Sequence, residues 1–401
     1  MIYFILAYLV VIPLFYMLGV QLRPAQEFAF QTLGYLIIIA SLFFPSKEIK
    51  RDKLNMSLAA LFVWFWITYL INKNMGYSVM LNLFIGLGIY YTIIRTLKKE
   101  HIQLIFKVLL WMGCFSIVYF MFQRLGWDMR DQLVINTTRK TQTIAGIVPD
   151  CSIFGLAAAF GMYLTVLIPV MLSCSWLGLF LLVPLFFAKS TGAFLAAAVA
   201  MFFFWWFRKR IMFWCALIPV LIVLIGFVVL VDNPMGMQKS RFDMWGKVIQ
   251  DSFKRPIGHG LDSFRTDERE GAIRYYKHSF DDTTIRVKRM ENQWWAEKLV
   301  SQQFQDAKKK TNPLDLWEHP HNEYVSLFFE IGAIGLLVVG FIFYFIWQRF
   351  FKSKRSNETV ALMACLVAFA VFSITQFPFH LARLAHLVPV LLGLFYVSTT
   401  D

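Results

Sequence analysis

Charge is scarce in this chain. Asp, Glu, Lys and Arg make up 16% of its 401 residues, where soluble domains carry about 25%. With 58% hydrophobic residues and 42 Phe, apolar runs of the roughly 20 residues needed to cross a bilayer recur from end to end. The runs are continuous, not alternating, which excludes a β-barrel and leaves an all-α polytopic membrane protein. Cysteine is also sparse: Cys114, Cys151, Cys174, Cys215 and Cys365 lie in or beside apolar runs. They offer neither a disulfide framework nor a metal-ligand spacing, and read as small packing residues. The opening run, Ile2 to Gln21, lacks a basic start and a small-residue cleavage site. It reads as an uncleaved first span and not as a signal peptide. Internal repeats and low-complexity tracts are missing.

Twelve apolar segments are expected, at about 2–21, 27–45, 55–72, 77–97, 101–123, 151–172, 175–188, 191–207, 211–231, 322–349, 358–376 and 381–398. The seventh is the shortest, and losing it would break the parity of all that follow. Basic residues in short loops orient the set. They are Lys47, Lys50, Arg51 and Lys53; Arg95, Lys98 and Lys99; Arg208, Lys209 and Arg210; and Arg349, Lys352, Lys354 and Arg355. With twelve spans and an inside N-terminus, all four groups fall on the cytoplasmic side. The expected organisation is nine spans over 1–231, a large outer loop over 232–321, and three spans over 322–401. The large loop holds 16 Lys/Arg and 14 Asp/Glu, nearly half the charges of the chain. That loop is nearly balanced, so the net charge of +14 sits mostly in the cytoplasmic loops and points to no nucleic-acid partner. Loops of such length are usually functional or separately folded.

Within the loop, Phe242, Trp245, Ile249 and Phe253 fall at helical spacing between Ser240, a capping residue, and Pro256, a terminator. The pattern suits an amphipathic helix lying on membrane lipids. Gly258-His259-Gly260 reads as a turn. A second amphipathic stretch, about 284–308, carries Trp294 and Trp295, residues suited to the headgroup level.

Few residues can carry chemistry. His321 opens the tenth span, with Asn322 and Glu323 in its first turn. The positive end of a helix macrodipole disfavours imidazole protonation, so this position suits a general base near neutral pH. Asn322 and Glu323 are placed to cap the helix or orient the ring. A solvated histidine at a loop-to-helix junction explains the same residue, and the residues alone favour that simpler reading. His319 reads as structural. Arg241, after the ninth span, and Lys189, followed by Ser190-Thr191-Gly192, are cations at the outer surface. Either suits a phosphate or pyrophosphate at headgroup depth, but for either alone snorkelling to lipid phosphates is the better explanation. Arg383 and His386 lie at the outer end of the last span, where the same two readings compete. Gly332 and Gly335, inside the tenth span, are explained by close helix packing, and Gly258 and Gly260 by a turn.

Taken together, these pieces resemble the O-antigen ligase and polymerase superfamily, which includes Wzy-type polysaccharide polymerases and bacterial O-oligosaccharyltransferases. The family's ligase signature is His, then Asn, Ser or Gln, nine residues, Gly, two residues, then Gly, Thr or Tyr. His321-Asn322 through Gly332 to Gly335 fits every position. Arg241-Phe-Asp-Met-Trp245 through Gly258-His-Gly260 to Phe264 resembles the start of the family's periplasmic loop. The motif-bearing likeness covers about 189–335, and the flanks match in architecture only.

The resemblance implies a GT-C-like helical enzyme of the bacterial inner membrane, with its large loop in the periplasm. It implies an inverting glycosyl transfer that needs no metal and no cofactor. The donor would be a glycan on undecaprenyl pyrophosphate, a polyprenyl carrier; the acceptor would be a lipid A core sugar or another glycan. His321 would take the proton of the acceptor hydroxyl, and Arg241, with Lys189 and Arg383, would hold the pyrophosphate. Asn322, Glu323, Gly258 and Gly260 would support them. The family often has an arginine shortly after the serine near Lys189, whereas here the cation precedes Ser190. The first outer loop, Gln21 to Gln26, lacks the acidic pair typical of metal-dependent membrane glycosyltransferases. A flippase or transporter is the competing class. Against it, the middle spans carry almost no ionisable residue apart from Glu330.

Overall fold

The structure, a computed structural model, describes residues 1–18, 23–45, 47–49, 51–72, 77–125, 157–188, 190–208, 242, 245–246, 248–260, 322–376 and 385–400. Among the described residues there is no strand. The helices are α1 (Ile2–Leu18), α2 (Arg23–Ser41), α3 (Lys53–Asn72), α4 (Tyr77–Thr96), α5 (Glu100–Arg124), α6 (Ala157–Cys174), α7 (Leu182–Phe187), α8 (Thr191–Arg208), α9 (Glu323–Lys352), α10 (Asn357–Phe372) and α11 (Leu387–Thr399). Eleven of the twelve expected apolar segments fall on these helices; the ninth, 211–231, lies outside the described residues. By length and composition, Lys53–Asn72, Glu100–Phe122 and Glu323–Lys352 can each cross a membrane, and eight shorter apolar helices accompany them.

The seventh segment is not one helix. A 3-10 turn, Trp176–Leu181, leads directly into α7. Ser175 caps the turn, its hydroxyl accepting from the Leu177 N–H. At about 2.0 Å rise per residue for the turn and about 1.5 Å for the helix, the piece extends roughly 21 Å. That falls short of the ~30 Å hydrocarbon core.

The chain forms two compact units. The first comprises Met1–Val63, Tyr77–Asp232 and Leu337–Asp401, and the second Trp64–Gly76 and Asn233–Leu336. In the first unit α10 packs on α8 and α6, and α4 packs on α2 and α11. Between apolar helices in lipid the hydrophobic effect gives little drive, so close van der Waals approach has to supply the attraction. The sequence provides it with small residues. Ala193, Ala196, Ala197 and Ala200 of α8 and Ala361, Ala364 and Ala368 of α10 are buried. Cys365, also on α10, is buried and donates to the Val166 carbonyl of α6, a packing thiol as expected.

A polar knot ties four helices of this unit at one end. Asp52 caps α3, its Oδ1 accepting from the Asn55 N–H at 2.9 Å. Its Oδ2 pairs with Arg349 of α9 at 2.7 Å. Arg349 also donates to Thr399 of α11 and lies 3.8 Å from the centre of the Tyr396 ring. Asn55 is buried; it accepts from the Tyr90 hydroxyl and donates to that of Tyr396. Asp52 thus does two jobs, cap and counter-charge. Asp52→Ala should lose both, about 2–3 kcal/mol, while Asp52→Asn, which keeps a capping oxygen, should lose about 1 kcal/mol. Thermal unfolding of the detergent-solubilised variants checks the order.

Candidate functional site

The motif His321 to Gly335 resolves into a mechanical device. Asn322 Oδ1 accepts from the Val325 N–H at 3.1 Å, the bond of an N-cap residue to its third helical position. The capping role expected of Asn322 is therefore present, and it leaves His321 as the residue just before the cap. Nine residues of helix follow, Glu323 to Ile331. At Gly332 the helix breaks, with φ 69° and ψ −174°, a region that only glycine enters without strain. The nine-residue spacer is thus a half-helix of about 13 Å, capped at one end and broken at the other.

The expectation for Gly332 is corrected here. It reads in sequence as a helix-packing glycine, but it makes a kink. A Cβ on it would strike the Pro256 carbonyl oxygen and lie 2.6 Å from the Gly258 nitrogen. The break strands backbone groups that an unbroken helix would pair, and the second unit supplies partners for them. His259 N–H donates to the Phe329 carbonyl and Gly260 N–H to that of Glu330, both at 2.9 Å. Ala333 N–H donates to the Pro256 carbonyl at 3.1 Å. The Trp64 indole N–H, from the second half of α3, donates to the Ile331 carbonyl at 2.9 Å. Irregular backbone inside an apolar protein is tolerated where such partners exist.

Gly258 and Gly260, with φ 89° and 102°, form the turn that the sequence suggests. The turn alone does not account for them. A Cβ on Gly258 would strike the Glu330 carbonyl, and one on Gly260 would lie 3.1 Å from Asn72 Cβ. Gly258 lets the 256–260 loop lie against the break, and Gly260 lets it approach Asn72 of α3.

The amphipathic stretch before this loop is helical over 248–254, with Pro256 in the turn that follows. Its apolar face was expected on the bilayer surface. Val248, Trp245 and Ile249 instead pack on Val325 and Phe329 of the half-helix, and the Phe253 ring meets that of Phe328 edge-on at 5.2 Å. Phe242 and Phe253 remain exposed. The opposite side of the half-helix is polar. Glu323, Ser326 and Glu330, spaced by three and four residues, are all buried.

His321, Arg241, Lys189 and Arg383 lie outside the described residues, as do His319, Ser240 and the 284–308 stretch. Of the supporting residues, Asn322 and Glu323 begin the half-helix, whereas Gly258 and Gly260 lie by its far end, at the break. Next to Lys189, Ser190 is buried, and Gly192 has no room for a Cβ because Thr375 fills the space. His386 is buried in the first unit, its ring 5.9 Å from that of Tyr8, which is a core position and not a surface one. Trp64 and Pro256 were not singled out in the sequence. The one signal for Trp64 is that a partly buried indole N–H needs an acceptor.

Comparison with curated proteins found no match. A family model described as O-antigen ligase matches residues 176–340. The matched stretch contains Lys189, Arg241, the 256–260 loop, the capped half-helix and its break. Over residues 176–340 the chain is therefore similar to the O-antigen ligase and Wzy superfamily.

Proposed function

We propose that this chain is an inverting, metal-independent glycosyltransferase of the bacterial inner membrane. It moves a glycan from undecaprenyl pyrophosphate to an acceptor hydroxyl on the periplasmic face. The observation that carries the reading is the fit between motif and backbone. The spacing from His321 to Gly332 equals one residue before the cap, the cap itself, nine helical residues and a glycine-only break. A base set just ahead of a capped helix N-terminus meets the positive end of the dipole, which disfavours its protonation. It can then take the proton of an attacking hydroxyl.

In the proposed reaction the acceptor oxygen loses its proton to His321 and bonds to the anomeric carbon. The bond from that carbon to the pyrophosphate oxygen breaks, and the electron pair leaves with undecaprenyl pyrophosphate. Arg241, aided by Lys189 and Arg383, holds the negative charge that builds on the leaving group. Fixed cations suit such a step better than covalent catalysis does. The apolar helices of 1–231 and 322–401 house the polyprenyl tail, and 232–321 forms the periplasmic segment. The acceptor is a lipid A core sugar, the ligase reaction.

Purified protein in liposomes, given labelled lipid-linked glycan and either a lipid A core acceptor or a second lipid-linked glycan, tests this. A single addition to the core acceptor is expected. A ladder of products on the lipid-linked acceptor would make the chain a polymerase. Movement of the donor across the bilayer with no glycosidic bond formed would make it a flippase and end the transferase reading.

A further inference from the structure

The break at Gly332 creates a mechanical problem. A half-helix of nine residues hinged at its lower end can tilt, and its upper end is where His321 begins. A tilt of about 5° over roughly 12 Å moves that end by about 1 Å. Displacements of that order can cost about 100-fold in rate. Something has to pin the half-helix close to its hinge.

We infer that His259 is a positioning residue for the transfer reaction: it pins the half-helix that follows His321 to the helix that follows Arg241. The inference rests on the transferase reading above. Three observations support it. The His259 ring lies flat on the Phe329 ring, with centres 3.9 Å apart and planes 6° from parallel. The main chain of His259 donates to the carbonyl of that same Phe329, so ring and backbone grip one residue at the end of the half-helix. The Gly258 N–H, one residue earlier, donates to the Arg255 carbonyl at 2.8 Å, which ties the loop to the end of the 248–254 helix. The glycines on either side leave no Cβ to hold the loop off. Above the pin, Val248 packs with Val325 and Phe329, which keeps the two helices side by side. His259 thus acts through its flat face, and a phenyl ring can replace it.

The test uses the full chain in lipid nanodiscs, with two readouts. Hydrogen exchange is followed at the amides of His259, Gly260 and Ala333, and glycan transfer is measured as kcat and donor KM. His259→Ala should raise exchange at all three amides and lower kcat about 10- to 100-fold, with KM within about twofold. His259→Phe should restore both protection and kcat. A His259→Phe protein with protected amides but the low kcat of His259→Ala would overturn the inference, because the imidazole would then have a chemical role. Unchanged exchange in His259→Ala would also overturn it. If the unaltered protein forms no glycosidic bond, the transferase reading fails by itself, and the exchange data still decide whether His259 pins the half-helix.

Discussion

His321→Ala is expected to abolish glycan transfer while leaving the protein inserted and folded. A general base is typically worth about 10²- to 10⁴-fold, so a loss of that order is expected. The folding half of the expectation comes from the cap. Asn322, not His321, accepts from the Val325 N–H, and the Ser326 N–H donates to the Asn322 carbonyl. Truncating the residue ahead of the cap removes none of these bonds. Transfer by reconstituted protein, read beside its unfolding temperature, checks both halves. Normal transfer by a folded His321→Ala protein would remove the histidine from the chemistry.

Gly332→Ala should have the larger effect on structure. Any side chain there has to enter a glycine-only backbone region, at a cost of about 1–3 kcal/mol. Its Cβ also meets the Pro256 carbonyl, and a main-chain group cannot swing aside as a side chain can. Relief requires the 256–260 loop to lift off. That forfeits the bonds from His259 to Phe329, from Gly260 to Glu330 and from Ala333 to Pro256. Each is worth about 0.5–1.5 kcal/mol net, and more if its groups stay dry and unpaired. The sum, roughly 3–7 kcal/mol, rivals the whole stability of many domains. Gly332→Ala should therefore lose transfer together with amide protection at 256–260. Gly340→Ala, on the unbroken part of the same helix, is the control. Its Cβ would meet nothing within 4 Å, so near-normal transfer is expected. Equal behaviour of the two variants would mean that the break is not what the motif glycine is for.

Much of the helical plan was legible in composition, because apolar runs of spanning length have few alternatives in lipid. The break in α9 was not. Both halves of the helix are apolar, so hydrophobic periodicity runs straight through Gly332. A kink glycine then looks the same as a packing glycine such as Gly34, whose missing Cβ makes room for Ile85. Periodicity also showed that Trp245, Ile249 and Phe253 share a face, but not what covers it; a neighbouring half-helix and a bilayer are equally apolar. Asn322 was legible as a cap because capping is local, one side chain reaching three residues along. Trp64 was hidden for the opposite reason, since its acceptor exists only after a distant helix breaks. The seventh segment was flagged by its length, yet its 3-10 start was not readable from apolar content.

The bond from Trp64 to Ile331 spans 267 residues of chain, and that has a consequence for biogenesis. At a ribosomal pace of about 5–20 residues per second, the indole waits roughly 13–50 s for its acceptor to be made. Through that interval the second half of α3 exists without the acceptor that its indole N–H finds in the finished fold. Closure around the break is then a late event, completed after synthesis has passed the large polar segment. A nascent chain stalled before Ile331 carries Trp64 and the 256–260 loop but lacks both the Ile331 carbonyl and the Ala333 N–H.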